Sequence, residues 1–106
     1  MNVFYVLIMP SLSVTIIQTH LQWEDKLANL RMLKEKIIAI PLQTEVVILP
    51  EMFSTGFSMH PQALAEKMDG DTVTWMKTVA SQKKIILTGS VIIEEDGKYF
   101  NRLIWM

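Results

Sequence analysis

The chain has 106 residues, half of them hydrophobic and eight of them methionine, which is material for one small core and one domain. Ten basic and eleven acidic residues leave a formal net charge of −1, so there is no electrostatic footprint for nucleic acid or for an anionic membrane surface. With no cysteine, these residues hold no disulfide, no thiolate metal site and no cysteine nucleophile.

Residues 3–9 form an apolar run without a basic flank, far shorter than the roughly 18 to 20 residues of a membrane span. The run could be a buried strand, or residues 1–8 could be an extension that the fold does not need. The domain is expected to begin at residue 12, with residues 1–11 as a possible non-essential N-terminal extension. LSVTIIQ, residues 12–18, is short and β-branched and predicts a strand. From Glu24 the period changes. Leu27, Leu30, Leu33 and Ile37 fall on one helical face, Lys26, Lys34 and Glu35 largely off it, and Pro41 stops the pattern.

EVVILP, residues 45–50, predicts a second strand that ends at a proline unable to donate a ladder hydrogen bond. A second helix is expected over residues 71–83, with Val73, Met76, Val79 and Ala80 on its apolar face and Asp71 or Thr72 as its N-cap. KIILTGSVIIEE, residues 84–95, is strand-like, and Asp96-Gly97 turns the chain into a further alternating run. The order β-α-β-α-β-β points to an α/β layered fold whose first strands are parallel and joined by right-handed crossovers. In such folds functional groups gather beyond the carboxyl ends of strands, where Glu51 lies. A carboxylate one residue past a strand is ordinarily a solvated loop residue, so position alone assigns it nothing.

Other candidate sites are weaker. His20 and His60 are forty residues apart without metal-ligand spacing, so no metal site is expected. Ser54, Thr55 and Ser58 have no base in a recognisable nucleophile motif. Asp69, Asp71 and the Glu94-Glu95-Asp96 group read as helix-start and hairpin-turn acids. Trp23, Trp75 and Trp105 are expected in core or inter-layer packing.

The ordered set of IIQTHLQWEDKLANL, LPEMFSTGF, the helix over residues 73–80, TGS, the Asp96-Gly97 hairpin and YFN closely resembles the nitrilase superfamily of carbon-nitrogen hydrolases, most of all its omega-amidase-like branch. The likeness runs over about residues 12–105 and covers the N-terminal portion of the family pattern. It implies the N-terminal part of a four-layer α-β-β-α sandwich, with residues 12–106 as an incomplete carbon-nitrogen hydrolase domain. It also implies Glu-Lys-Cys chemistry on small linear amides through a thioester, without cofactor or metal, in the cytoplasm.

Glu51 matches the family's general base, which takes the proton of the cysteine thiol. A free thiol is only a few per cent thiolate at neutral pH, so the chemistry needs such a base. The family lysine belongs to a YDK-like motif beyond YFN, and the cysteine comes later still. Lys98 fits the hairpin as a solvated turn residue and does not take that role. Phe53, Phe57 and Met59 could wall a substrate pocket, although such residues near a strand end are often plain core, and Gly56 lets the loop turn.

The 106 residues are therefore expected to be catalytically silent alone. Their expected partners are a small amide in the intact family, and a missing C-terminal half or a second copy. No nucleic acid and no membrane is expected. The alternative is a small non-enzymatic α/β module that binds a partner through an exposed sheet.

Overall fold

In the computed structural model of this chain, residues 11–41 and 43–106 are described. The expectation for the N-terminal extension therefore lies almost entirely outside the described residues. The elements run β1 (Val14–Ile16), α1 (Lys26–Ile38), β2 (Val46–Ile48), α2 (Pro61–Leu64), α3 (Asp71–Lys83), β3 (Ile86–Glu95) and β4 (Lys98–Trp105). This is the expected order with one addition, the single turn α2, which Pro61 opens at its first position.

The four strands form one sheet in the order β1-β2-β3-β4. β1, β2 and β3 are parallel, with Val14 opposite Val46 and Val46 opposite Ile86. β4 returns antiparallel along β3, from Glu95 opposite Lys98 to Thr88 opposite Trp105. Asp96 and Gly97 both take positive φ, 53° and 75°, as a two-residue hairpin turn requires, and Gly97 N–H donates to Glu94 Oε1 at 3.0 Å. The backbone of Glu66 bridges to β3 beyond the end of β2: its N–H donates to the Ile92 carbonyl and its carbonyl accepts from Glu94 N–H.

Both long helices pack on one face of the sheet. Leu33 and Ile37 of α1 and Val73, Met76, Val79 and Ala80 of α3 meet Val47, Leu49, Leu87, Val91 and Ile93 in a single core. The buried stripe of α1 is Asn29, Leu33 and Ile37, whereas Leu27 is 75% exposed. The apolar face predicted for this helix is thus rotated, because position 29 is turned inward to bind backbone and Leu27 is carried out to solvent.

Neither Asp71 nor Thr72 is the N-cap of α3; Gly70 is, and its own side chain offers nothing. Glu66 acts instead from outside the helix. Its Oε1 accepts from Thr72 N–H at 2.8 Å and its Oε2 from the Thr72 hydroxyl, satisfying a first-turn donor that the helix leaves orphaned. Lys26 Nζ at the start of α1 stands 3.1 Å from the same Oε2, so one residue ties both helices to β3.

Among the described residues no helix covers the opposite face, which is largely apolar and exposed at Val14, Ile16, Leu103 and Trp105 while Val46, Thr88, Ser90 and Ile92 in its middle are buried. The registers place Val14 and Ile16, Val46 and Ile48, Ile86, Thr88, Ser90 and Ile92, then Tyr99, Asn101, Leu103 and Trp105 on it. Of the tryptophans only Trp75 joins the core, its ring centroid 5.8 Å from that of Phe53. Trp105 lies exposed on the open face, and Trp23 is exposed beside Gly56. Trp105 is thus outside the core but on the sheet face where packing against another layer would fall, and Trp23 stays out of the core because it sits in the loop before α1, over Gly56.

Candidate functional site

β2 ends at Ile48, and Leu49 N–H still pairs with the Thr88 carbonyl at 2.8 Å before Pro50 ends the ladder. Glu51 follows at once, exposed, at the carboxyl end of a parallel strand. Behind it the backbone turns sharply. Met52 has φ 50°, an uncommon conformation for a side chain of its size, and its N–H donates to Ser90 Oγ at 2.8 Å. Residues 51–55 are a compact turn closed by Thr55 and Gly56 N–H groups on the Met52 carbonyl.

That turn is tied to the rest of the fold by Asn29. The Asn29 amide donates to the Ser54 carbonyl at 2.9 Å and to the Gln22 carbonyl at 2.8 Å, and its Oδ1 accepts from Gln22 N–H at 2.7 Å. All three contacts are to backbone, and Asn29 is fully buried. A polar residue in that environment is stable only when its groups are satisfied, and here it joins the loop entering α1 to the loop leaving β2.

The Glu51 carboxylate faces an open depression of about 320 Å³ floored by Ile48, Leu49, Gly89 and Ser90 and bordered by Asn101 and Leu103. Asn101 Nδ2 donates to Glu51 Oε1 at 2.7 Å. A second depression, of about 260 Å³, shares Asn101 and is otherwise mostly apolar, with Met52, Met59, Ile92 and Tyr99 among its walls.

Of the predicted wall residues, Met59 borders this second depression and is largely exposed. Phe57 is exposed and lines neither depression. Phe53 is fully buried in the core beneath Gly89 and presents no surface to either depression. Gly56 has φ 76° and carries the Trp23 ring close over it, so the loop does turn where a side chain would be strained.

One constellation escaped the sequence reading. Glu24 Oε1 accepts from the Ser58 hydroxyl at 2.9 Å and lies 2.7 Å from His60 Nδ1, while Ser58 Oγ accepts from His60 N–H at 3.0 Å. Hydrogen bonds from His60 and then Ser58 hold the Glu24 carboxyl below its ordinary value. The serine donates to a carboxylate of lowered proton affinity and not to the imidazole, so this is not a serine–histidine nucleophile pair. The group fastens residues 58–60 to the loop before α1. No pattern of local spacing could have revealed it, since Glu24 and His60 are 36 positions apart. Among the described residues there is no group of three His, Asp or Glu side chains that could hold a metal ion, and no helix is long and apolar enough to cross a membrane.

A mixed α/β sheet with a carboxylate past the carboxyl end of one of its parallel strands has the layout of a layered α/β enzyme site. The chain belongs to the carbon-nitrogen hydrolase family, whose model matches residues 13–106. It is 36% identical over 96 residues to the omega-amidase YafV of Escherichia coli K12 and 35% identical over 101 residues to that of Yersinia enterocolitica, covering 91% of this chain in each case.

Among solved structures it is similar to XC1258 from Xanthomonas campestris, a CN-hydrolase superfamily protein with an arsenic adduct in its active site. The TM-score is 0.85 and the identity 36%, over 92% of this chain and 37% of that one. An N-terminal amidase at 19% identity and TM-score 0.77 shares the fold. The chain thus has the mixed α/β architecture of the nitrilase-like fold, and it spans about 37% of the length of the omega-amidases it matches.

Proposed function

We propose that residues 12–106 are the N-terminal part of a carbon-nitrogen hydrolase domain that acts on small linear amides, as an omega-amidase does, with Glu51 as its general base. The observation that carries this reading is the placement of Glu51. It follows a proline-ended parallel strand, on a backbone pinned by Ser90, beside an open depression, in a chain 36% identical to omega-amidase YafV. In this mechanism Glu51 takes the proton of a cysteine thiol as sulfur attacks the amide carbon. A lysine stabilises the oxyanion, Glu51 passes the proton to the departing nitrogen so that ammonia leaves, and Glu51 then draws a proton from the water that hydrolyses the thioester and returns it to the cysteine sulfur.

In this reading the lysine and cysteine belong to later parts of the family pattern than the one matched here, and the absence of cysteine from these 106 residues supports it. The chain alone supplies the base and one side of the site, and by itself it is catalytically silent. Neither metal nor organic cofactor enters the scheme.

The test uses a completed protein, in which this chain is extended by the segment that follows the matched region in an omega-amidase YafV relative. Turnover of small omega-amides is expected, and Glu51→Gln is expected to lower it by roughly 10² to 10⁴-fold while the fold survives. The 106 residues alone lack the nucleophile, a loss that costs about 10⁶ in well-studied hydrolases, and should give none. Near-normal activity in Glu51→Gln would reduce Glu51 to a loop acid.

The open apolar sheet face supports a second reading, in which the chain is a non-enzymatic module that binds a partner there. The two readings part on whether the completed protein turns over amide.

A further inference from the structure

The residue that touches the Glu51 carboxylate is Asn101, which closes the YFN stretch of the family likeness but receives no role from it. The two are 50 residues apart. Glu51 leaves β2, Asn101 sits on β4 opposite Ile92, and β3 lies between those strands. The contact therefore spans the middle of the sheet and closes the depression from its far side. At 2.7 Å it lies at the short end of the N–H···O range.

What this bond adds is control of the carboxylate itself. Pro50 and the Met52–Ser90 hydrogen bond fix the backbone around Glu51, yet an exposed glutamate still turns about its three side-chain torsions. A general base must be held within hydrogen-bond reach of the proton it takes. With Oε1 engaged, Oε2 is left as the acceptor. After Oε2 has taken a proton, Oε1 remains an acceptor, so the Asn101 bond survives the transfer. An amide N–H holds the geometry without giving up a proton of its own.

We infer that Asn101 is the positioning residue of Glu51, fixing Oε1 so that Oε2 meets the nucleophile. This rests on the reading of Glu51 as general base. The test is a double-variant cycle in the completed protein, with Asn101→Leu, Glu51→Gln and the pair compared for kcat and KM, and with folding checked by circular dichroism. Asn101→Ser, too short to reach Glu51, replaces Asn101→Leu if the latter does not fold.

Misplacement of a reacting group costs on the order of 10²-fold, and that loss is expected in kcat with KM nearly unchanged. The pair should be no slower than Glu51→Gln alone, since Asn101 acts only through the carboxylate. Three results would overturn the assignment: a near-normal Asn101 variant, a loss confined to KM, which marks a substrate contact, or a loss that multiplies with that of Glu51→Gln, which marks a merely structural role. If instead Glu51→Gln itself is nearly normal, the general-base reading falls, and the positioning role falls with it for that separate reason.

Discussion

Gly89 of β3 lies directly against the ring of Phe53: a Cβ placed on Gly89 would stand 2.7 Å from Phe53 Cδ1 and 3.0 Å from Leu49 Cβ. The glycine is there because the turn after Glu51 drives an aromatic ring under the sheet, and the strand must give it room. The packing of Phe53 and the placement of Glu51 are therefore one arrangement. Phe53 N–H donates to the Ser90 carbonyl, one residue beyond Gly89.

From this contact we expect Gly89→Ala to be destabilising although it adds only a methyl group. Overpacking of this kind costs typically 1–3 kcal/mol, and here the obstacle is a fully buried ring with no open side. Phe53→Ala should cost about 3–5 kcal/mol. The double variant should lose less than the sum of the two, because the cavity accepts the new methyl. Urea denaturation of the completed protein measures all three, and strictly additive losses would count against the contact.

The contrast between what local pattern revealed and what it concealed follows sequence distance. The strands, both long helices and the Asp96-Gly97 hairpin were legible because alternation, helical period and turn chemistry act over a few residues. Glu51 stood out as a candidate only through the family likeness, since a carboxylate behind a strand is by position alone an ordinary loop acid. Leu27 was misread because helical period finds a stripe but cannot tell that Asn29, bonded to Gln22 and Ser54, takes the inward position. The cap of α3 was misread because Glu66 reaches it from outside the helix. The Glu24–Ser58–His60 group and the Asn101–Glu51 bond join residues 34 to 50 positions apart, and no local rule addresses such pairs.

The two carboxylates that fasten the loops give the protein a definite response to acid. For Glu66, burial alone would raise proton affinity, but hydrogen bonds from Thr72 and the Lys26 ion pair outweigh it and hold the group below its ordinary value of 4.5. Glu24 is lowered by His60 and Ser58. Both groups bind a proton less readily folded than unfolded. Their contribution is therefore complete above the unfolded value near 4.5 and is lost as pH falls through the lower folded values. We expect Glu66→Gln to melt below the parent at pH 7, and the gap to narrow once the pH drops under about 4.5. Thermal melts of the completed protein between pH 3 and pH 7 follow it. A gap that stays constant across the range would mean that the charge on Glu66 contributes nothing.

The open sheet face sets the physical state of the chain by itself. In a layered α/β fold each sheet is covered on both faces, whereas here α1 and α3 cover one. On the other, Ile16 is 64%, Leu103 70% and Trp105 64% exposed, and Val14 and Ile86 lie among them. An uncovered apolar face of several hundred Å² forfeits on the order of 10 kcal/mol at about 25 cal/mol per Å², comparable with the whole stability of a small domain. Among the described residues the strands β1 and β4 form the edges of this sheet, each a template for pairing with another chain. We therefore expect the 106 residues alone to be aggregated, molten or associated, and to become soluble when co-expressed with the C-terminal complement used in the completed protein. Size-exclusion chromatography with light scattering and a thermal melt, at micromolar concentration, distinguish the cases. Replacing Ile16, Leu103 and Trp105 by polar residues should return the isolated chain toward a monomer while abolishing its rescue by the complement. A sharp monomer peak with a cooperative transition in the unaltered chain would show that helices on one face suffice, and would favour a self-sufficient module.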